Sequence, residues 1–321
     1  MTVRTSALAL FALAALASAP SARGAETSAP RTLRVGYQKW GTLVLLKARG
    51  TLEKRLAPRG VDVRWTEFPA GPPLLEAIHA GAIDLGQVGE APPIFAQAAG
   101  SDLVYVASEP PEPTGEAIVV RKDSALRSVA DLRGKRIALN KGSNVHYLLV
   151  KLLEKAGLAY GDVEPVFLPP ADARAAFARG SVDAWVIWDP FLAAAQQQLG
   201  VRVLADGSGV VANRPFYLAA RSFGEREPEL VTVLLEELNQ TSAWARARPA
   251  EAGALLAPSL GLDTATASLS ISRKAWGVAP VDAAVLKEQQ RVADTFHALK
   301  LIPAPIDVRA ATIGAGRSAN R

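Results

Sequence analysis

Four times along this chain a short apolar run enters a small polar turn and passes directly into the start of a helix, and this recurrence limits the fold most. The turns are Tyr37-Gln38-Lys39-Trp40-Gly41-Thr42, Val88-Gly89-Glu90-Ala91-Pro92, Asn140-Lys141-Gly142-Ser143-Asn144 and Trp185-Val186-Ile187-Trp188-Asp189-Pro190. In the third, Arg136-Ile137-Ala138-Leu139 reads as a buried strand. Beyond it Tyr147, Leu148, Val150, Leu152 and Leu153 recur at helical spacing until Gly157. Ser143 stands at the N-cap position, where capping its own helix is as good a reading as contacting a ligand. Strands alternating with helices predict an α/β fold with parallel sheets. Ligands of such sheets bind outside the carboxyl ends of the strands. There the unpaired N–H groups and the dipole of a helix start suit an anion, with no lysine or arginine required.

Taken in order, strands are expected at 33–37, 61–68, 83–88 and 104–107, with a helix over 43–56 and a shorter one opened by Pro72 and Pro73. The run Pro110-Pro111-Glu112-Pro113 breaks this rhythm, and Glu116–Val120 begins a second series. That series comprises strands at 136–139, 163–168, 184–188 and 201–204, with helices from Ser143, over 172–178 and from Pro190. Residues 210–219, which include Arg214, read as a return crossing, and the periodicity over 228–246 and 282–299 is helical. The expected architecture is two α/β lobes joined by two crossings with a ligand cleft between them. Lobe 1 comprises 31–112 and 218–308, and lobe 2 comprises 113–217. The terminal helices are expected to pack on lobe 1, and 309–321 to be unstructured.

Residues 1–24 carry Arg4, an apolar core from Ala7 to Ala17 and small residues after it, the three parts of a secretory signal. Removing Arg4 and Arg23 takes the formal charge from +5 to +3. No block of Lys and Arg interleaved with aromatics suggests a nucleic-acid partner. The chain has no cysteine, which excludes disulfides, thiolate metal sites, a cysteine nucleophile and a lipidated cysteine anchor. The expectation is a free monomer in the periplasm. The three histidines, at 79, 146 and 297, form no ligand cluster in the sequence, and no metal or cofactor is expected. Gly-x-Ser-x-Gly, Walker and Gly-x-Gly-x-x-Gly signatures are absent, which argues against an enzyme. An exported enzyme using His146 with Glu90 or Asp189 stays open as the distant rival.

Gly36-Tyr37-Gln38-Lys39, the run from Gly89 through Gly100, Asn140 through Leu158, and Asp183 through Phe191 resemble the aliphatic sulfonate-binding proteins of ABC importers, within the wider sulfonate, taurine and nitrate group. The resemblance implies a type II periplasmic binding protein that closes around an alkanesulfonate and delivers it to an inner-membrane permease with a cytoplasmic ATPase. It implies no cofactor. By position it implies a cleft lined by Gln38, Gly89 and Glu90 from one lobe and Ser143, Asn144, Trp188 and Asp189 from the other. To these the residues add Trp40 as an apolar wall, His146 on the first helical turn, and Arg214 at the return crossing. Four have plainer readings: Trp188 as a core aromatic, Glu90 as a helix N-terminal acid or partner of a ligand amine, His146 as a packed or capping histidine, and Asp189 as a helix cap. Taurine, nitrate or a sulfate ester are the alternative ligands.

Overall fold

The computed structural model describes residue 2 and residues 31–313; the expected signal at 1–24 and the end of the expected tail, 314–321, lie outside the described residues. The chain begins with β1 (Arg31–Tyr37), α1 (Gly41–Arg49), α2 (Thr51–Leu56), β2 (Val61–Glu67), α3 (Gly71–His79), β3 (Leu85–Val88), α4 (Pro92–Ala98) and β4 (Leu103–Ser108). One helix expected over 43–56 is two. Gly50 takes φ 61°, a left-handed geometry in which its N–H closes on the carbonyls of Leu46 and Lys47.

After the proline-rich crossing come β5 (Glu116–Arg121), β6 (Arg136–Leu139), α5 (Asn144–Lys155), β7 (Glu164–Phe167), α6 (Pro170–Ala178), β8 (Ala184–Trp188), α7 (Phe191–Gln198) and β9 (Val201–Asp206). The chain then returns through β10 (Phe216–Ala220) into α8 (Arg221–Arg226), α9 (Pro228–Ala247), α10 (Pro249–Leu260), α11 (Thr264–Ser272) and α12 (Ala283–Ala298).

The strands form two five-stranded sheets, ordered β2-β1-β3-β10-β4 and β7-β6-β8-β5-β9. Neither is purely parallel, which corrects the sequence expectation. β10 runs antiparallel between β3 and β4, and β5 antiparallel between β8 and β9. Each of these strands arrives from the other sheet, so no intervening helix imposes the parallel crossover. The two crossings lie side by side as a result. The N–H groups of Glu109, Glu112 and Gly207 donate to the carbonyls of Pro215, Ala212 and Pro113 at 2.9, 3.1 and 3.0 Å.

One core cluster joins Leu33, Val35, Leu43, Leu46 and Leu52 to Leu230, Leu234 and Leu238 of α9, so α9 covers one face of the first sheet. Each such buried leucine contributes roughly 1.5–3 kcal/mol. The other terminal helices do not confine themselves to the first sheet. Phe296 of α12 packs at a tilt against both Phe95 of α4 and His146 of α5, with ring centroids 4.8 and 5.5 Å apart. The expected loss of structure from 309 is also corrected over its first residues. Val308–Ala311 forms a single 3-10 turn capped by Asp307, because Val308 and Ala311 are apolar and buried.

Candidate functional site

Gly71 begins α3 and Pro92 begins α4, and a β-carbon on Gly71 would lie 2.7 Å from the Pro92 ring, so the two helix starts touch. Trp40 immediately precedes α1, and Ser143 and Asn144 open α5. These five residues, with Gln38, Gly89 and Trp188, line a small pocket between the two sheets. None of the eight carries a formal charge. None of the four helix starts is capped by a side chain of its own N-cap residue. The pocket therefore faces the positive ends of four helix dipoles.

Prolines in the first turns of α3 and α4 remove N–H donors there, and Gln87 Oε1 already accepts from the Leu43 N–H in α1 at 3.3 Å. The open directional donors belong mainly to the first turn of α5. The Ser143 side chain does not cap its helix, one of the two readings left open; its hydroxyl donates its hydrogen to the Asn140 carbonyl at 2.7 Å. Gln38 donates one amide hydrogen to the Gln87 carbonyl at 3.0 Å and has a second to offer. Asn144 donates to Glu116 Oε2 at 2.5 Å and to Asn213 Oδ1 at 2.9 Å, which fixes its side chain beside Gly89.

Beyond Gln38, Trp40 and Trp188, which line both, lies a larger cleft of about 220 Å³ walled by Phe68, Pro69, Pro169, Pro170, Ala171 and Phe191, with Lys39 and Glu67 at its rim. Trp188 is held edge-on against Phe191, with centroids 6.0 Å apart. The whole has a polar, neutral end and a mostly apolar mouth.

Six of the ten residues singled out from the sequence meet at this pocket: Gln38, Trp40, Gly89, Ser143, Asn144 and Trp188. The other four lie outside its lining. Glu90 is buried behind it, where Oε2 accepts from the Arg214 backbone N–H at 3.2 Å; burial raises its carboxyl to about 7. His146 points the opposite way, since two helical residues past Asn144 rotate it about 200°. Its Nδ1 accepts from the Gly142 N–H at 3.3 Å, which assigns the proton to Nε2, 2.7 Å from the Tyr160 hydroxyl. Burial, then Lys141, lowers this imidazole to about 4. Asp189 accepts from the Ala193 N–H at 3.0 Å and from Arg273, so α7 offers its first turn to a carboxylate of the chain itself. Burial raises Asp189 to about 6, against the pull of Arg273. Arg214 is spent on Glu288 at 2.9 Å and on the Glu109 carbonyl at 2.9 Å.

The α3 start thus stands where the sequence suggested the α7 start. The turn Gly71-Pro72-Pro73 follows a strand just as the other four do, and that was the available signal for it. The apolar walls at Phe68, Pro169 and Phe191 carry no comparable mark.

Residues 57–252, more than half of the chain, match the family described as NMT1/THI5 like. The chain is 46% identical over 301 residues to the putative aliphatic sulfonates-binding protein of Escherichia coli (strain K12), covering 93% of this chain and 94% of that one. Among solved structures it is similar to the alkanesulfonate-binding protein SsuA from Xanthomonas axonopodis pv. citri bound to MOPS, with TM-score 0.84 and 44% identity over 89% of this chain and 99% of that one. It is also similar to the periplasmic aliphatic sulphonate binding protein SsuA from Escherichia coli, with TM-score 0.80 and 45% identity over 88% and 97% of the two chains. The chain belongs to the NMT1/THI5-like family, within its group of aliphatic sulfonate-binding proteins.

Proposed function

We propose that this protein captures alkanesulfonates in the periplasm, after export on residues 1–24, and delivers them as a monomer to the permease of an ABC importer. The observation that carries this reading is the small neutral pocket at four helix starts, which shares Gln38, Trp40 and Trp188 with the apolar cleft beside it. A sulfonate presents three oxygens with one negative charge among them. The free Gln38 amide hydrogen, the backbone N–H groups of Gly89 and of the first turn of α5, and the Ser143 hydroxyl once its hydrogen turns from the Asn140 carbonyl to the anion, are the proposed donors. Asn144, fixed by Glu116 and Asn213, backs the pocket beside Gly89, while Trp40 and Trp188 guide the alkyl chain into the cleft.

A sulfate dianion leaves the apolar cleft empty and brings a second charge into a pocket with no cation to meet it, so its desolvation is poorly offset. Nitrate and taurine likewise forgo most of the apolar contact. Each methylene buried in the cleft adds up to about 0.8 kcal/mol. The reading is binding without chemistry, because no pocket-lining side chain titrates. Glu90, His146, Asp189 and Arg214 are assigned supporting roles behind the pocket.

Transport follows if lobe 1 (31–112 and 218–308) and lobe 2 (113–217) close on the ligand about the paired crossings, and the permease recognises the closed form. Isothermal titration of the mature chain with ethanesulfonate, hexanesulfonate, MOPS, taurine, nitrate and sulfate tests it. Tightest binding by the longer alkanesulfonates is expected. A preference for sulfate or nitrate overturns the ligand assignment.

A further inference from the structure

Arg273 and Lys274, the two residues that follow α11, reach the supports of both tryptophan walls. The α10–α11 pair joins the two sides: Leu256 and Ile271 pack in one cluster with Val44 and Leu45 of α1 on the first-sheet side, and α11 also packs on α7 of the second. From there Arg273 Nη1 reaches both carboxylate oxygens of Asp189 at 2.9 Å, and Nη2 donates to Gln196 of α7. Asp189 directly follows Trp188 and is fixed by the Ala193 N–H, so this grip falls on the second-sheet wall of the pocket. Lys274 is buried, paired with Glu109 and with Glu112 (3.0 Å) of the outgoing crossing, and its ammonium stands 5.7 Å from the ring centre of Trp40, the first-sheet wall.

We propose that Arg273 and Lys274 form a latch that holds the ligand cleft shut, with Arg273 as the element that must release Asp189 when the cleft opens. The proposal rests on the cleft closure of the proposed function. Its physical basis is an asymmetry: the Arg273–Asp189 pair ties the end of α11 to the end of β8, whereas Lys274 stays with Glu109 and Glu112 around one crossing. Removing Arg273 leaves Asp189 buried without its cation in the closed form only, so the closed form loses and the open form does not. Arg273 is a positioning residue that acts through Asp189 and Trp188.

The chain has no cysteine, so a pair at Lys54→Cys and Asp172→Cys, both exposed, accepts donor and acceptor dyes without background labelling. Single-molecule energy transfer and stopped-flow dissociation of hexanesulfonate are then compared for wild type, R273M and the double variant R273M/D189N. The latch predicts a dissociation rate raised about tenfold or more in R273M with the association rate little changed. It also predicts a ligand-free ensemble shifted toward the open distance, with partial recovery of both in the double variant. R273M that matches wild type in dissociation rate and in distance distribution overturns the latch, as does a loss of affinity arising wholly from global unfolding in a thermal melt. A wild-type chain that binds no sulfonate overturns the proposed function alone. The ligand-free distance comparison then still decides the latch.

Discussion

Changing Gly89 to Ala is expected to weaken ligand binding while leaving the fold intact. A β-carbon at position 89 would sit 2.8, 2.9 and 3.0 Å from Oδ1, Cγ and Cβ of Asn144, distances at which something must move. Asn144 cannot simply swing aside, because Glu116 and Asn213 both hold its amide. Gly89 follows β3 of the first sheet, whereas Asn144 starts α5 beside the second, so the overlap is relieved by a slight separation of the two. A methyl group forced into a packed contact costs about 1–3 kcal/mol, which corresponds to about 5- to 150-fold weaker binding. Gly86→Ala is the matched control. There the added carbon meets Leu74 at 2.7 Å and the Gly36 carbonyl at 2.8 Å, both within the first sheet and its covering helix, so the melting temperature should fall instead. Titration calorimetry and thermal denaturation of the ligand-free proteins separate the effects. If G89A binds within twofold of wild type, or melts as early as G86A, the contact is not one that forms on closure.

Ser143→Ala should weaken every sulfonate by a similar factor, about 3- to 10-fold for one lost hydrogen bond; a calorimetric series from ethane- to hexanesulfonate that changes slope instead would place Ser143 on the alkyl chain. Because the pocket lining is neutral, hexanesulfonate affinity should change less than threefold between about 0.05 and 0.5 M salt, where a contact with a solvent-accessible cation would be screened. Glu90 binds its proton up to about pH 7 when folded, against 4.5 for the ordinary group, so its contribution to stability is full below about 4.5 and is lost as pH rises to about 7. Glu90→Gln should remove that limb and stabilise the protein at pH 8 by up to about 3 kcal/mol, read from urea unfolding at pH 4.5 and 8. His146 runs the other way: folded at about 4 against 6.5, it favours the folded state above about 6.5 and loses this as pH falls to about 4, so His146→Gln should flatten the acid limb of the same curve.

Much of the chain could be read without coordinates because alternation and helical spacing report burial directly. The bounds of β6 and β8 agree with the sequence reading at both ends. Strand direction is different. A run such as Glu116–Arg121 is buried on both faces in either orientation, so nothing in its periodicity distinguishes parallel from antiparallel pairing. The same limit explains the exchange of helix starts at the pocket. Asp189 looked like a ligand-facing residue because its partner, Arg273, lies 84 residues away, and only the tertiary fold reveals that α7 is already satisfied. For His146 the plainer reading, a packed histidine, holds, since helical geometry alone turns it away from Ser143 and Asn144.

Glu90, Asp189 and Arg214 stand near strand ends, where an anion contact would be sought, yet all three are engaged with other parts of the chain, and this bears on how the site works. A fixed cation in the pocket would bind a sulfonate strongly in the open and the closed form alike, and equal affinity for two states shifts neither. Helix starts contributed from both sides act differently. α1, α3 and α4 stand beside the first sheet and α5 beside the second, so their dipoles converge on one anion only when the two are brought together. On the proposed reading, the charges of Glu109, Glu112, Asp189, Arg273 and Lys274 bear on the geometry of closure and leave the choice of ligand to the neutral pocket.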